Sequence, residues 1–218
     1  MNKKVKNIAV ASAMAGVLAL GGIGAYFTDS DSASNEFTVG KISLDLTEPN
    51  WNPDNGKDIT PNKEISKDPT VTNDGVNSEF VFLTVSVPYE NIITANDDGT
   101  INTATDTELY SYTVNKGWKE IGTAKKDETK KTITHTYVYG DANACTELAK
   151  GVATPTLFDS VKFVNAVEGQ GLETSTYNID INAYGIQTTD INGGKTAPSD
   201  VWSVLSTQVD AMAAIKNQ

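Results

Sequence analysis

The sequence predicts a mainly β protein, an antiparallel jelly-roll-like sandwich that ends in one amphipathic helix. Apolar and polar residues alternate with a period of two in several stretches between Phe37 and Tyr184, as they do in half-buried strands. Turn signals and long connections separate these stretches without a regular βαβ alternation, which favours antiparallel sheets. Helical periodicity is clear only near the C-terminus.

The first strand is predicted around a break in phase. Phe37 and Val39 share one face, and after Gly40 the apolar residues of the segment 42–46 alternate cleanly with polar ones. A β-bulge at Gly40 explains the shift. The following residues 49–75 are rich in proline and Asn-Gly-type turns, which predicts a long irregular connection.

The strongest core strand is predicted over residues 80–87, where Val81, Leu83, Val85 and Val87 share one face. Pro88 is expected to end this strand, because proline cannot donate a ladder hydrogen bond. The other predicted strands are a hairpin of residues 109–114 and 118–121 around a turn at 115–117, and the segments 132–139, 157–164 and 177–184.

The C-terminal helix is predicted from Ser199 to Ile215. Pro198-Ser199-Asp200 is a helix-start signal, and apolar residues then recur at helical spacing at Val201, Leu205, Val209 and Met212.

Residues 1–25 are predicted to form a signal peptide. They have lysines at the start, an apolar stretch from Ile8 to Leu20 and small residues up to Ala25. We expect cleavage between Ala25 and Tyr26 and a secreted mature chain. A retained membrane anchor is the alternative, since Ile8 to Ala25 is free of charge over 18 residues.

Composition limits the partners of the mature chain. Removing residues 1–25 from 218 leaves 193, enough for one domain with a sizeable core. The leader takes three of the 17 basic residues, all lysines, and none of the 28 acidic ones, so the mature net charge is −14. Nucleic acid and anionic lipid are therefore unfavourable partners, and no membrane association is expected after cleavage.

The sequence contains few residues that could be catalytic or bind a metal ion. His135 is the single histidine, so a histidine-rich zinc site and the His-Glu-x-x-His helix are absent, and we expect His135 to be a sheet residue. Cys145 has no partner for an intrachain disulfide and is expected to fill apolar space. Asp97-Asp98-Gly99 predicts a turn and does not continue into a calcium loop. The sequence therefore predicts no enzyme, no cofactor and no catalytic or metal-binding residue.

Several segments, spread over nearly the whole chain, resemble the camelysin/TasA family of exported fibre-forming proteins. The most distinctive is the junction from Ala25-Tyr26-Phe27-Thr28-Asp29 to the strand residues 37–46. The others are residues 67–75, 156–163 and 183–187, and the helix that contains Trp202.

The resemblance implies a jelly-roll domain over residues 37–218, export by the general secretory route and cleavage by a dedicated signal peptidase. It also implies assembly into fibres of the biofilm matrix of Gram-positive bacteria, at the cell surface or in the extracellular matrix. The expected partners are further copies of the chain in a head-to-tail filament, and minor fibre subunits or matrix polymers. Some family members carry the name metalloendopeptidase, although this chain has no zinc motif.

The mechanism implied by the resemblance is donor-strand exchange, in which the freed N-terminal segment 26–36 of one subunit completes a sheet of its neighbour. Extended, eleven residues span about 35 Å at roughly 3.3 Å each, enough to line one edge of a sandwich. The residues expected to contact the partner are Phe27, Thr28, Asp29, Ser30, Asp31, Ser32, Ala33, Ser34, Asn35, Glu36 and Phe37.

Two other functions remain open from the sequence. A monomeric cell-surface binding or accessory matrix protein would use the same N-terminal residues as a flexible or self-paired strand. A camelysin-like metalloendopeptidase would require hydrolysis of protein substrates that a chelator abolishes.

Overall fold

The computed structural model describes residues 41–191 and 193–216. Its mainly β architecture with antiparallel strands and one C-terminal helix confirms the predicted fold class; the jelly-roll connectivity stays a prediction. The strands are β1 (Leu44–Thr47), β2 (Glu64–Ser66), β3 (Thr70–Asn73), β4 (Glu79–Ile92), β5 (Thr105–Glu108), β6 (Tyr110–Ser111), β7 (Trp118–Glu120), β8 (Lys125–Asp127), β9 (Thr132–Tyr139), β10 (Glu147–Leu148), β11 (Ser160–Phe163) and β12 (Asp180–Gln187), and the helix is α1 (Pro198–Lys216).

The largest sheet is built around β4. On one side β12 pairs with it from Asp180 opposite Ser86 to Gln187 opposite Glu79, and on the other side β9 pairs with it. β7 and β8 extend the sheet beyond β9, while β5 and β10 pair with the two ends of β4. Two smaller sheets, β1–β3 and β2–β11–β6, complete the strand pairing in the described residues.

The main core lies on the inner face of β4. Val81, Leu83, Val85 and Val87 are each fully buried, as their alternation predicts. They belong to one cluster with apolar residues of β2, β3 and β11, so the smaller sheets cover this face. Full burial of such a side chain stabilises the fold by about 1.5–3 kcal/mol.

The outer face of β4 packs against the helix. Phe80 and Phe82 form a second cluster with Val201 and Leu205 of α1, and the Trp202 ring lies 5.3 Å from that of Phe82. The predicted apolar stripe is therefore confirmed at Val201, Leu205 and Val209, whereas the Met212 side chain lies outside what the structure describes. The helix begins one residue earlier and ends one residue later than expected. In the described ranges, no helix has the length and apolar character that a membrane crossing requires.

The prediction that Pro88 ends the central strand was wrong, because β4 continues to Ile92. On one side Pro88 pairs with Thr132 of β9. On the other side the pairing of β4 with β12 ends at Ser86, and its pairing with β5 begins at Tyr89. Pro88 thus lies between two partner strands, where no ladder bond needs its missing N–H.

The predicted hairpin of residues 109–114 and 118–121 was also wrong. β6 pairs with β11, whereas β7 pairs with β9 in a different sheet. The turn between them is present, since the Trp118 N–H donates to the Asn115 carbonyl at 3.3 Å. Each strand finds aromatic contacts in its own sheet, with Tyr110 against Phe163 and Trp118 against Tyr139.

Candidate functional site

The structure brings together two strands, β1 and β12, that each have one unpaired edge. Within the described residues β1 pairs only with β3, and β12 pairs only with β4, so each has one free edge. At one end the two strands are in contact, because a Cβ built on Gly185 of β12 would lie 3.1 Å from methyl groups of both Ile42 and Leu44. Farther along, a groove of about 610 Å³ lies between them. We call this groove the seam; it is lined by Leu46, Glu48, Trp51, Lys67, Ile179, Asp180, Ile181 and Asn182.

Apolar side chains along the seam are incompletely covered. A second cavity of about 390 Å³ shares Trp51, Lys67, Ile179 and Asp180 with it and extends towards Tyr110. The side chains that border these cavities contact the main core yet stay partly exposed: Leu46, Trp51, Ile59, Tyr177, Ile179 and Ile181. Free strand edges beside partly covered core residues are the features to which an added strand binds.

The wall of the seam on the β1 side is held by partly buried polar contacts. The Lys67 ammonium lies 2.7 and 2.8 Å from the two carboxylate oxygens of Glu48 and 4.8 Å from the centre of the Trp51 ring. Asp68 accepts hydrogen bonds from the backbone N–H and side-chain amide of Asn50 at 2.9 and 2.8 Å. These contacts fix the chain from Glu48 to Trp51 and leave the Trp51 ring at the junction of both cavities.

The seam has a slight acidic excess. Glu48 and Asp180 are the acidic residues of its lining, and Lys67 is the basic one. Because Lys67 is already paired with Glu48, the charge of Asp180 is left without a matching cation in the seam lining. An acidic strand that enters the seam therefore meets repulsion, which salt or protonation weakens.

His135 is confirmed as a sheet residue of β9, and it links three strands. Its Nε2 lies 2.8 Å from Glu108 of β5 and its Nδ1 lies 2.7 Å from Glu120 of β7. The hydrogen bond to Glu108, helped by the one to Glu120 and opposed by partial burial, raises the pKa of His135 to about 9. At neutral pH the imidazolium therefore donates to both carboxylates.

Cys145 is confirmed as an apolar contact. It is partly buried against the cluster between β4 and α1, and burial raises the pKa of its thiol to about 12. The thiol therefore stays protonated at neutral pH and is a poor nucleophile.

The fold and the seam together define a class, an antiparallel β domain with one C-terminal helix and a groove beside two strands that each have a free edge. The particular family follows from comparison with known proteins. The chain matches the family described as camelysin metallo-endopeptidase over residues 1–137, more than half of its length, and it belongs to that family. The resemblance to the camelysin/TasA family is thereby confirmed. No curated protein and no solved structure matches the chain.

The metal implied by the family's name does not fit the described residues. His135 uses its two ring nitrogens, on opposite sides of the imidazole, for two different glutamates, so one ion cannot be bound by the ring and both carboxylates. Across the described ranges no group of three or more His, Cys, Asp or Glu side chains is placed to hold a metal ion. A catalytic zinc typically needs three protein ligands and an open position.

The predicted N-terminal sites lie outside the described residues. These are the cleavage site between Ala25 and Tyr26 and the donor segment from Phe27 to Phe37. The seam itself was not predicted from the sequence. Its strand-like alternation at Ile179 and Ile181 was recognised, but alternation reveals which face is buried and not which edge is free.

Proposed function

We propose that this protein is an exported structural subunit that polymerises head to tail into extracellular fibres of the biofilm matrix. In this proposal residues 27–37 of one copy add as a strand to the seam of the next. The observation that carries the proposal is the seam, two free strand edges beside partly covered core side chains.

The length of the donor segment suits the length of the acceptor. Residues 27–37 number eleven, and so do residues 177–187, which comprise β12 and the three residues before it. Both span about 35 Å when extended at roughly 3.3 Å per residue. A donor strand along this edge would reach from the aromatic cavity at Tyr177 to the contact at Gly185 and beyond it.

The side-chain pattern of the donor segment suits a strand with one buried face. In an extended chain residues two apart share a face, so Phe27, Ala33 and Phe37 all point to the same side. Phe27 and Phe37 would anchor the two ends in the seam, and backbone hydrogen bonds between them would supply affinity. The Asp29 and Asp31 side chains would share this face and lie near the acidic excess of the seam lining, so salt or protonation should favour insertion.

Donor and seam are different surfaces, so each contact leaves one free donor and one free seam and the chain of subunits propagates. A leader attached to the donor segment would hinder insertion, so assembly would follow its removal. In this proposal the subunit is a structural protein and not an enzyme.

The test compares purified chains that begin at Tyr26 and at Phe37, by electron microscopy and size exclusion. We expect filaments from the first and monomers from the second. Filaments from both would refute donor-strand polymerisation. Monomers from both would also refute it and favour the alternative, a monomeric protein that binds a matrix polymer at the cell surface.

A seam variant sharpens the test. Ile181→Asp places a charge beside the free edge of β12, and Ile101→Asp is the matched control because Ile101 is 67% exposed and does not line the seam. A folded Ile181→Asp chain that begins at Tyr26 keeps its donor but accepts none. Mixed into the parent chain it should therefore cap filaments and shorten them, whereas the Ile101→Asp chain should not.

A further inference from the structure

A carboxyl group lies unpaired in the core at the closed end of the seam. Glu79, the first residue of β4, is fully buried, and both of its carboxylate oxygens lack a hydrogen-bond partner among the described residues. A buried carboxylate without a partner is strongly disfavoured, because burial removes its hydration. The geometry around Glu79 therefore favours the protonated form.

The Glu79 carboxyl fills a gap between β1 and β12. A Cβ built on Gly185 would lie 2.7 Å from Oε2 of Glu79 and 3.1 Å from the methyl groups of Ile42 and Leu44. The carboxyl thus occupies the space that a side chain on β12 would fill, directly beside the two β1-side methyl groups. We call Glu79, Gly185, Ile42 and Leu44 the carboxyl clasp.

The charged groups near Glu79 do not supply a counter-ion. The strand β12 places the uncharged Gln187 opposite it, and β10 places the exposed Glu147 opposite Phe80. The β1 side carries Lys41 and Asp45, neither in an ion pair with Glu79 in the described part of the chain. The turn after β3 contributes Asp74.

Burial and the repulsion from Asp74 raise the pKa of Glu79 to about 7. The proton is therefore exchanged within the pH range of natural environments. Below about pH 7 the neutral carboxyl can lie against the methyl groups of Ile42 and Leu44, whereas an ionised carboxylate would draw water into the contact.

We propose that protonation of Glu79 closes the carboxyl clasp, which holds β1 and β12 at the spacing that forms the seam, and that ionisation loosens it. This inference rests on the proposed function and adds its regulation: acidification favours strand acceptance by shaping the acceptor. It is separate from the general repulsion between acidic subunits, because it depends on one buried group.

The sign of the stability effect follows from the two pKa values. The unfolded chain ionises Glu79 near 4.5, whereas the folded chain keeps the proton up to about 7. The contribution of the Glu79 proton to the free energy of unfolding is therefore complete below pH 4.5. It falls as the pH rises from 4.5 to about 7 and is absent above that pH. Across this window the unfolding equilibrium constant should rise up to roughly 300-fold, the equivalent of about 2.5 pKa units.

The first measurement is denaturant unfolding between pH 4 and pH 9, in the full chain and in the form that begins at Tyr26. Wild type should lose stability relative to Glu79→Gln between pH 4.5 and 7, and Glu147→Gln, which alters an exposed glutamate in the same sheet, should follow wild type. Glu79→Leu should behave like Glu79→Gln, and it replaces that variant in the experiment if Glu79→Gln does not fold. Equal pH profiles for wild type and both Glu79 variants would overturn the inference.

The second measurement tests the contact itself and its link to assembly. Nuclear Overhauser effects between the Ile42 and Leu44 methyl groups and Gly185 should weaken above pH 7 in wild type and persist in Glu79→Gln. Filament yield should fall above pH 7 more in wild type than in the variant. An equal fall in both would overturn the regulation but leave donor-strand polymerisation standing. Filaments from chains that begin at Phe37 would refute that polymerisation and leave the stability profile untouched.

Discussion

Replacing His135 by glutamine should remove a stabilisation that depends on the charge of the imidazole. The two glutamates raise the pKa of His135 from 6.5 to about 9, so the folded chain holds its proton more tightly than the unfolded chain. The stabilisation is therefore complete below pH 6.5 and is lost as the pH rises through about 9.

The size of the effect is set by the exposure of the partners. A difference of about 2.5 pKa units corresponds to at most roughly 3.4 kcal/mol. The His135 side chain is 18% exposed, but those of Glu108 and Glu120 are 32% and 43% exposed, so water screens both pairs. We therefore expect a contribution of about 1–1.5 kcal/mol to the free energy of unfolding.

The assay is urea unfolding of wild type and His135→Gln at pH 6, pH 7.5 and pH 10. The difference in unfolding free energy should be largest at pH 6 and shrink by about 1–1.5 kcal/mol at pH 10. Glu120→Gln should lose part of the same pH-dependent stabilisation, because it removes one of the two carboxylates that contact His135. A difference between wild type and His135→Gln that stays constant over this range would refute the argument, because it would show that packing and not charge sets the cost.

Three further outcomes are expected. Asn73→Ala should lower the free energy of unfolding by about 2–3 kcal/mol in urea titration, because the fully buried amide donates to two backbone carbonyls and accepts from one N–H; a loss under 0.5 kcal/mol would contradict this. Gly140→Ala should lower the melting temperature far more than Gly122→Ala: both glycines have a positive φ, but only at Gly140 would the new Cβ lie 2.4 Å from a backbone oxygen. If the proposed polymerisation is right, the chain that begins at Tyr26, with a net charge of −14, should form filaments faster in light scattering as salt rises from about 0.01 M towards 1 M, since screening weakens repulsion between subunits; a rate independent of salt would contradict this role of repulsion.

Periodicity predicted the parts of the fold that depend on local patterns. As expected, four residues at alternate positions from Val81 to Val87 are buried on one face of the strand. The helix packs Val201 and Leu205 against the sheet, also as expected. Both predictions succeed because burial of one face follows directly from the side-chain repeat of a strand or a helix.

Local sequence patterns did not predict which strands pair with each other. The turn at Asn115 was recognised, but the strands on its two sides enter different sheets, because their aromatic residues find partners that are distant in sequence. Proline favours a strand end, but Pro88 lies between two partner strands, and this position depends on how far β5 and β12 pair along β4. Such information is absent from a local window of sequence.

The sequence by itself determined the fold class, the absence of a zinc motif, the acidic charge and the family resemblance, because these depend on residue types and their local spacing. Only the tertiary structure decided that β1 and β12, each with one free edge, lie in contact, and that Glu79 lies against Gly185 without a counter-ion among the described residues. Edges and buried charges arise from which distant segments meet, and the backbone hydrogen bonds that join strands carry no signature in the side chains.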